Sequence, residues 1–141
     1  MLIAFNAILV SVVEMPLVHK LEKGNILRSI AWGALLLFAG FAILPLARGF
    51  AFAMFTVFIW SIGEMLVFPL IAGVIANRAS DTNRGKYMGM FSFNFSLAFV
   101  VGPVIGSGIY TNWGGDTLWL ISGIMGIFVW GSILIAARRR K

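Results

Sequence analysis

The stretch that decides the fold is Phe50–Ala76, FAFAMFTVFIWSIGEMLVFPLIAGVIA, in which Glu64 is the single charged side chain. The hydrocarbon core of a bilayer is about 30 Å thick, and a helix needs roughly 20 apolar residues to cross it. Only helices and closed barrels satisfy their backbone polar groups in lipid, and the alternating pattern of barrel strands is missing here. The stretch therefore predicts a transmembrane helix.

Four further apolar stretches accompany this one, and each is long enough to span a bilayer. The five predicted spans lie at about residues 1–18, 29–46, 50–76, 87–109 and 117–137. Composition agrees, because 60% of the residues are hydrophobic and 11% are charged, whereas soluble domains contain about 45–50% apolar and about 25% charged residues. The sequence predicts an all-α polytopic transmembrane helix bundle, with residues 1–141 as a single domain.

Composition also narrows the chemistry that the chain can perform. There is no cysteine and only one histidine, which excludes disulfides and thiolate metal sites and leaves little imidazole chemistry. No Gly-rich phosphate loop, HExxH motif or Ser/His/Asp set occurs, so we expect no enzyme activity, no metal and no cofactor. The net charge of +6 comes from short clusters between apolar runs, a pattern of membrane topology rather than of nucleic-acid binding.

The basic residues alternate between the connections, and this alternation predicts the orientation. All but one of the 11 Lys and Arg residues lie in the first connection, the third connection or the C-terminal tail. They are Lys20, Lys23, Arg28, Arg78, Arg84, Lys86, Arg138, Arg139, Arg140 and Lys141, and the remaining one is Arg48. The positive-inside rule places the basic segments in the cytoplasm. We therefore expect a multi-pass protein of the cell (inner) membrane with its N-terminus outside and its C-terminus cytoplasmic.

The N-terminal segment lacks the features of a signal peptide. Met1 is followed directly by apolar sequence, without a basic region or a small-residue cleavage site. No cytoplasmic anchor precedes a span that has to export its own N-terminus. We therefore expect the chain to be the C-terminal part of a longer protein.

Glu64 is the main functional candidate, because it lies near the middle of its span. An ionised carboxylate at that depth costs at least about 2.5–3.5 kcal/mol on insertion scales, so Glu64 should face an internal cavity. Its neighbours at helical spacing are Val57, Trp60, Ser61, Phe68 and Ile71. This aromatic face with one acid suits a lipophilic or cationic solute and predicts a role in transport or proton coupling. The alternative is a structural acid that is hydrogen-bonded to a neighbouring helix.

Prolines and small residues provide candidates for bending and gating. Pro69 lacks an amide hydrogen, so we expect a kink that is either a gate or a correction of helix shape. The fourth span carries a face of small residues, and close packing in lipid explains most of it. Its members are Gly85, Gly89, Ser92, Ser96, Pro103 and Gly106, with Gly102 beside the proline. Asn94, on another face, either lines a cavity or bonds a neighbouring helix.

The remaining candidates lie near the ends of the spans. Glu14, a second intramembrane acid, is expected to pair with His19 or Lys20 at the interface. In the third connection, Ser80-Asp81-Thr82 predicts an N-cap for the fourth helix, and Arg84 is spaced to pair with Asp81.

Several of these motifs resemble the C-terminal half of the major facilitator superfamily, in particular members described as drug:proton antiporters. They are Gly63-Glu64-Met65 with Pro69, the loop Asn77–Gly85, Tyr87-Met88-Gly89, and Gly102-Pro103 with Gly106. Such proteins often carry "GE…P" in the tenth helix and "RG…G…GP…G" around the eleventh. One departure is the first connection, HKLEKGN at residues 19–25, which lacks the Asp-Arg of the family's basic loop.

The resemblance implies that the spans are helices eight to twelve of a partial major-facilitator fold. It implies secondary transport by alternating access, with proton-coupled efflux of hydrophobic or drug-like solutes. The expected partners are the lipid bilayer, a small-molecule substrate, protons and the missing N-terminal half. The alternative function is that of a self-contained integral membrane protein with an assembly or scaffolding role, which would associate through the fourth span.

Overall fold

The computed structural model describes residues 2–21, 24–46 and 48–138. The predictions that rest on Met1, Lys23, Arg139, Arg140 and Lys141 fall outside these residues, as do Glu22 and Ala47. The described residues form five α-helices and a short 3-10 helix at Leu44–Leu46. The α-helices are α1 (Leu2–Leu21), α2 (Ile26–Ala42), α3 (Phe50–Arg78), α4 (Arg84–Trp113) and α5 (Gly115–Arg138).

Each of the five segments is long and apolar enough to cross a membrane, if α2 is counted with its 3-10 extension. The prediction of an all-α bundle with five spans is confirmed. The fourth helix extends beyond the predicted span at both ends, from Arg84 to Trp113, and two polar side chains near its C-terminal end bond to carbonyls of the same helix. Thr111 Oγ1 donates to the Ser107 carbonyl at 2.8 Å, and Asn112 Nδ2 donates to the Gly108 carbonyl at 2.8 Å.

Gly114 alone connects α4 to α5. It has a φ of +85°, a left-handed conformation that glycine adopts without steric penalty. Its N–H donates to the Tyr110 carbonyl at 3.0 Å and closes the last turn of α4. The connection expected over residues 110–116 is therefore a single residue, and the two helices are antiparallel neighbours.

Helix α2 is the central element, packed between α3 and α5. Glycines allow α2 to approach both neighbours closely. Towards α3, a Cβ added at Gly63 would collide with the backbone of Leu37 and would lie 2.7 Å from the Gly33 carbonyl oxygen. On the other side, a Cβ added at Gly123 would lie 2.6 Å from Ala42 Cβ. The buried apolar side chains belong to α2 and α3, and they are Ile30, Ala31, Ala34, Val57, Met65, Val67 and Leu70.

Helix α4 lies at the periphery, and no residue in it is buried. Added Cβ atoms at Gly85, Gly89 and Gly102 would meet nothing within 4 Å, whereas one at Gly106 would lie 3.9 Å from Leu118 Cδ1. Close packing was expected to explain the small-residue face, but among its described glycines only Gly106 has such a neighbour. The serines and the proline of that face are exposed.

The connection before α4 differs from the predicted cap. Helix α4 begins at Arg84 with Asn83 as its N-cap residue, and no side chain caps it. The Ser80 hydroxyl is instead hydrogen-bonded to Thr82 Oγ1 at 3.1 Å and accepts from Asn83 Nδ2 at 3.3 Å. The side-chain hydrogen bonds of this connection do not include Asp81 or Arg84. The capping prediction was wrong because these polar side chains bond to one another.

Candidate functional site

Glu64 lies in the middle of α3, half-buried, and is linked to α1 by a hydrogen bond. Asn6 Nδ2 donates to Glu64 Oε2 at 3.2 Å and to Ser61 Oγ at 2.7 Å. Ser61 is fully buried, and its hydroxyl donates to the Val57 carbonyl at 2.7 Å. One amide of α1 thus holds two polar side chains that lie one turn apart on α3.

The partners on α3 determine which way the Asn6 amide faces. The Ser61 hydroxyl has used its proton on the Val57 carbonyl, so towards Asn6 it can only accept. An ionised Glu64 carboxylate also only accepts. Both contacts therefore require the two hydrogens of the Asn6 NH2 group. The Asn6 side chain therefore links α1 to α3 through two acceptors.

The face predicted around Glu64 is divided among three helices. Val57 and Ser61 are buried, and Ser61 meets α1. Trp60 packs against Phe41 of α2, with ring centroids 4.7 Å apart. Phe68 points towards α4 and meets Phe95 edge-on at 5.3 Å. Ile71 is half-buried. Because α3 is surrounded by neighbours, these residues do not share one open cavity.

An aromatic groove runs between α3 and α4. One part, of about 420 Å³, is lined by Phe68, Phe91, Ser92, Phe95, Ser96 and Phe99. An adjoining part of about 480 Å³ adds Ala98 and Pro103. The groove begins one helical turn from Glu64, since Phe68 follows Glu64 by four residues. A small lipophilic molecule fits the size and the lining of such a space.

The other predicted residues are not among the hydrogen-bond partners of Glu64 in the described part of the chain. Helix α3 continues through Pro69 without interruption, and α4 does so through Pro103. Asn94 is exposed and donates to the Met90 carbonyl of its own helix at 2.9 Å. Glu14 is half-buried, and none of the hydrogen bonds between described side chains involves it. The gating roles of Pro69, Gly102, Pro103 and Gly106 stay predictions.

Comparison with known proteins assigns the chain to a family. The family model of the Major Facilitator Superfamily matches residues 1–141. The chain belongs to the major facilitator superfamily. It is 26% identical over 142 residues to an uncharacterized MFS-type transporter, YqjV, of Bacillus subtilis (strain 168). That alignment covers 100% of this chain and 34% of the relative, so the chain spans about a third of the relative's length. No solved structure matches the chain.

The name of this relative describes a transporter, and the five apolar helices of this chain agree with a multi-pass membrane protein. Within the described residues, no three His, Asp or Glu side chains come together in a group that could hold a metal ion. Among the described residues of this member of the superfamily, the side-chain hydrogen bonds that link two helices are those of Asn6 with Ser61 and Glu64.

Two features of this major facilitator chain were missed from the sequence. Asn6 is the one amide in the apolar segment LIAFNAILV, and such a residue in a spanning helix usually bonds to a neighbouring helix. That signal was available. The groove could have been suspected from Phe91, Phe95 and Phe99, whose spacing of four places them on one helical face. The sequence does not show which helix faces these three rings.

We expect Asn6→Leu to lower the free energy of unfolding by about 1–2 kcal/mol, the range of interhelical hydrogen bonds in membranes. The substitution removes both donors and leaves Ser61 and Glu64 without their partner on α1. Unfolding in mixed detergent micelles measures the change. Asn94→Leu is the matched control, because its exposed amide bonds only to its own helix, and its effect should stay within about 0.5 kcal/mol. Equal losses would contradict the α1–α3 link.

Proposed function

We propose that this chain forms helices eight to twelve of a secondary transporter that works by alternating access. The family match over the whole chain supports this, as does a relative named as an MFS-type transporter of about three times the length. In such transporters two halves move around a site near the bilayer midplane. The proposal therefore includes an N-terminal half that completes the cavity. It also includes the orientation predicted by the basic connections, with the C-terminus in the cytoplasm.

The single observation that supports the proposal of proton coupling is the hydrogen-bonded group of Asn6, Ser61 and Glu64. A glutamate side chain exists either as a neutral carboxylic acid or as a carboxylate, and the two forms differ by one proton. As a carboxylate, Glu64 would accept a stronger hydrogen bond from Asn6 than the neutral carboxylic acid would. Protonation therefore weakens the contact of α1 with α3. A helix contact that depends on proton occupancy is what a proton-coupled transporter requires.

The substrate class that we propose is hydrophobic or drug-like, moved by efflux. The aromatic groove between α3 and α4 supports this, because phenylalanine rings and two serine hydroxyls line it. Glu64 lies one turn away and adds a negative charge when it is ionised. A flat lipophilic cation would gain contact with the rings and attraction to the carboxylate.

The test uses the full-length transporter in proteoliposomes with an imposed pH gradient. We expect movement of a lipophilic cationic dye that depends on the gradient and stops when a protonophore is added. Residues 1–141 alone should give no movement above empty liposomes, because they provide only part of a two-halved cavity. Gradient-independent movement by the full-length protein would contradict proton coupling. Movement by the 141-residue chain alone would contradict the need for a second half.

A second candidate function is an assembly role through α4. The observation that favours it is the open face of α4, where Gly85, Gly89 and Gly102 have no neighbour within 4 Å. Small-residue faces support close helix association in lipid. Sedimentation of the 141-residue chain in detergent distinguishes the two functions. A stable oligomer that Gly89→Leu dissociates supports assembly, whereas a monomer supports the transporter fragment.

A further inference from the structure

A small basic cavity lies between the first turn of α2 and the last turns of α5. Its volume is about 170 Å³, and it is lined by Asn25, Arg28, Leu134, Ala137 and Arg138. Both arginines are exposed, and no carboxylate is among these lining residues. The cavity therefore combines two permanent positive charges with an aliphatic wall.

The local backbone adds to the positive potential. Asn25 is the N-cap of α2, and its Oδ1 accepts from the Arg28 backbone N–H at 3.2 Å. The N-terminus of a helix carries a partial positive charge, so the first turn of α2 and the side chain of Arg28 act together on an anion. Arg138, in the last turn of α5, extends from the other side of the cavity. The two guanidinium groups thus approach the same space from different helices.

The cavity lies at the boundary between apolar and polar surroundings. Trp32 follows Arg28 by one turn, and Trp130 precedes Leu134 by one turn, so both lie further from this end of the same helices. Their ring centroids are 5.9 Å apart in an edge-on arrangement. Tryptophan is enriched at the level of lipid headgroups. The charged rim of the cavity and the tryptophan pair one turn further along the same helices therefore both suit the headgroup region of a bilayer.

We propose that this cavity binds the phosphate group of an anionic phospholipid. The planar guanidinium groups of Arg28 and Arg138 donate paired hydrogen bonds to the phosphate oxygens, a geometry that lysine does not provide. Leu134 and Ala137 contact the apolar part of the same lipid. Basic pockets between helices at a membrane surface bind anionic headgroups by this chemistry. A free phosphate ion would make the polar contacts but would leave the aliphatic wall uncovered. The site is independent of the transport proposed above.

The test is native mass spectrometry of the purified protein in detergent, titrated separately with phosphatidylglycerol, phosphatidylcholine and inorganic phosphate. Phosphatidylglycerol should bind with 1:1 stoichiometry and resist displacement by millimolar phosphate. The variant Arg28→Gln/Arg138→Gln should bind it more weakly. The matched control is Arg78→Gln/Arg84→Gln, which removes the same charge at the same end of the bundle without lining the cavity. The affinity loss should be about tenfold larger for the cavity pair than for the control pair.

Each other outcome overturns the proposal in a defined way. Equal losses in both pairs would show general attraction to the basic end of the bundle. Equal binding of phosphatidylcholine would show that the headgroup charge is not recognised. Displacement by inorganic phosphate would assign the cavity to the free ion. If the glutamine pair does not fold, Arg28→Lys/Arg138→Lys keeps the charge, and undiminished binding by it would contradict the paired guanidinium contacts.

Discussion

Proton-driven transport should disappear in the Glu64→Gln variant of the full-length transporter, while the bundle remains folded. Glutamine has the shape of glutamate, and its amide oxygen still accepts the hydrogen bond that Asn6 Nδ2 gives to Glu64 at 3.2 Å. It cannot bind or release a proton. The variant therefore keeps the α1–α3 contact in one fixed strength, and the gradient can no longer change it.

The measurement compares two modes in the same proteoliposomes. Accumulation driven by a pH gradient should fall to the level of empty liposomes, whereas exchange of labelled for unlabelled substrate, without a gradient, should continue. Asp116→Asn is the matched control, because it removes one carboxylate from the exposed first turn of α5. It should leave both modes unchanged. Gradient-driven accumulation at the wild-type rate in Glu64→Gln would show that another group carries the proton.

Gly63→Ala should be among the most destabilising single-methyl additions in the bundle. The new Cβ would collide with the backbone nitrogen and Cα of Leu37 and would lie 2.7 Å from the Gly33 carbonyl oxygen. Backbone atoms of α2 cannot move aside as a flexible side chain can. Helices α2 and α3 would have to separate, which should lower the free energy of unfolding by about 1–3 kcal/mol, the usual cost of overpacking.

Gly73→Ala is the matched control for this substitution. Gly73 lies in the same helix, and a Cβ added there meets nothing within 4 Å. Because alanine favours the helix over glycine, Gly73→Ala should be neutral or stabilise the protein by up to about 1 kcal/mol. Unfolding in mixed detergent micelles measures both variants. A loss at Gly63 no larger than that at Gly73 would mean that α2 and α3 do not approach closely at this point.

Much of the fold followed from the sequence because hydrophobic length alone identifies spanning helices. The run around Glu64 and its four companions therefore predicted the helices well. Their ends were harder, since polar residues such as Thr111 and Asn112 read as connection but lie within α4, where their side chains bond to carbonyls of their own helix. The N-cap was predicted wrongly for a related reason. Ser80, Thr82 and Asn83 all have capping side chains, and only their mutual contacts decide which ones remain available.

The sequence predicted which residues of the candidate site are neighbours within α3, but not which residues of other helices they contact. Helical spacing correctly placed Ser61 beside Glu64, but it does not say which neighbour each side of α3 meets. Trp60 meets α2, Ser61 meets α1 and Phe68 meets α4. Asn6 lies 58 positions from Glu64, so its hydrogen bond depends on the packing of α1 against α3. Pairing between helices is decided by shape across the whole bundle, which periodicity does not contain.

The one-residue connection at Gly114 restricts how α4 and α5 can separate. Successive Cα atoms are about 3.8 Å apart, so Trp113 and Gly115 remain within two such steps in every conformation. If α4 moves away from α5 as a rigid helix, it therefore rotates about Gly114. The displacement grows with distance from Gly114 and is largest at the opposite end, where α4 begins at Arg84. The gap between α4 and α5 would therefore be widest at the end of the bundle that contains Arg84 and Arg138.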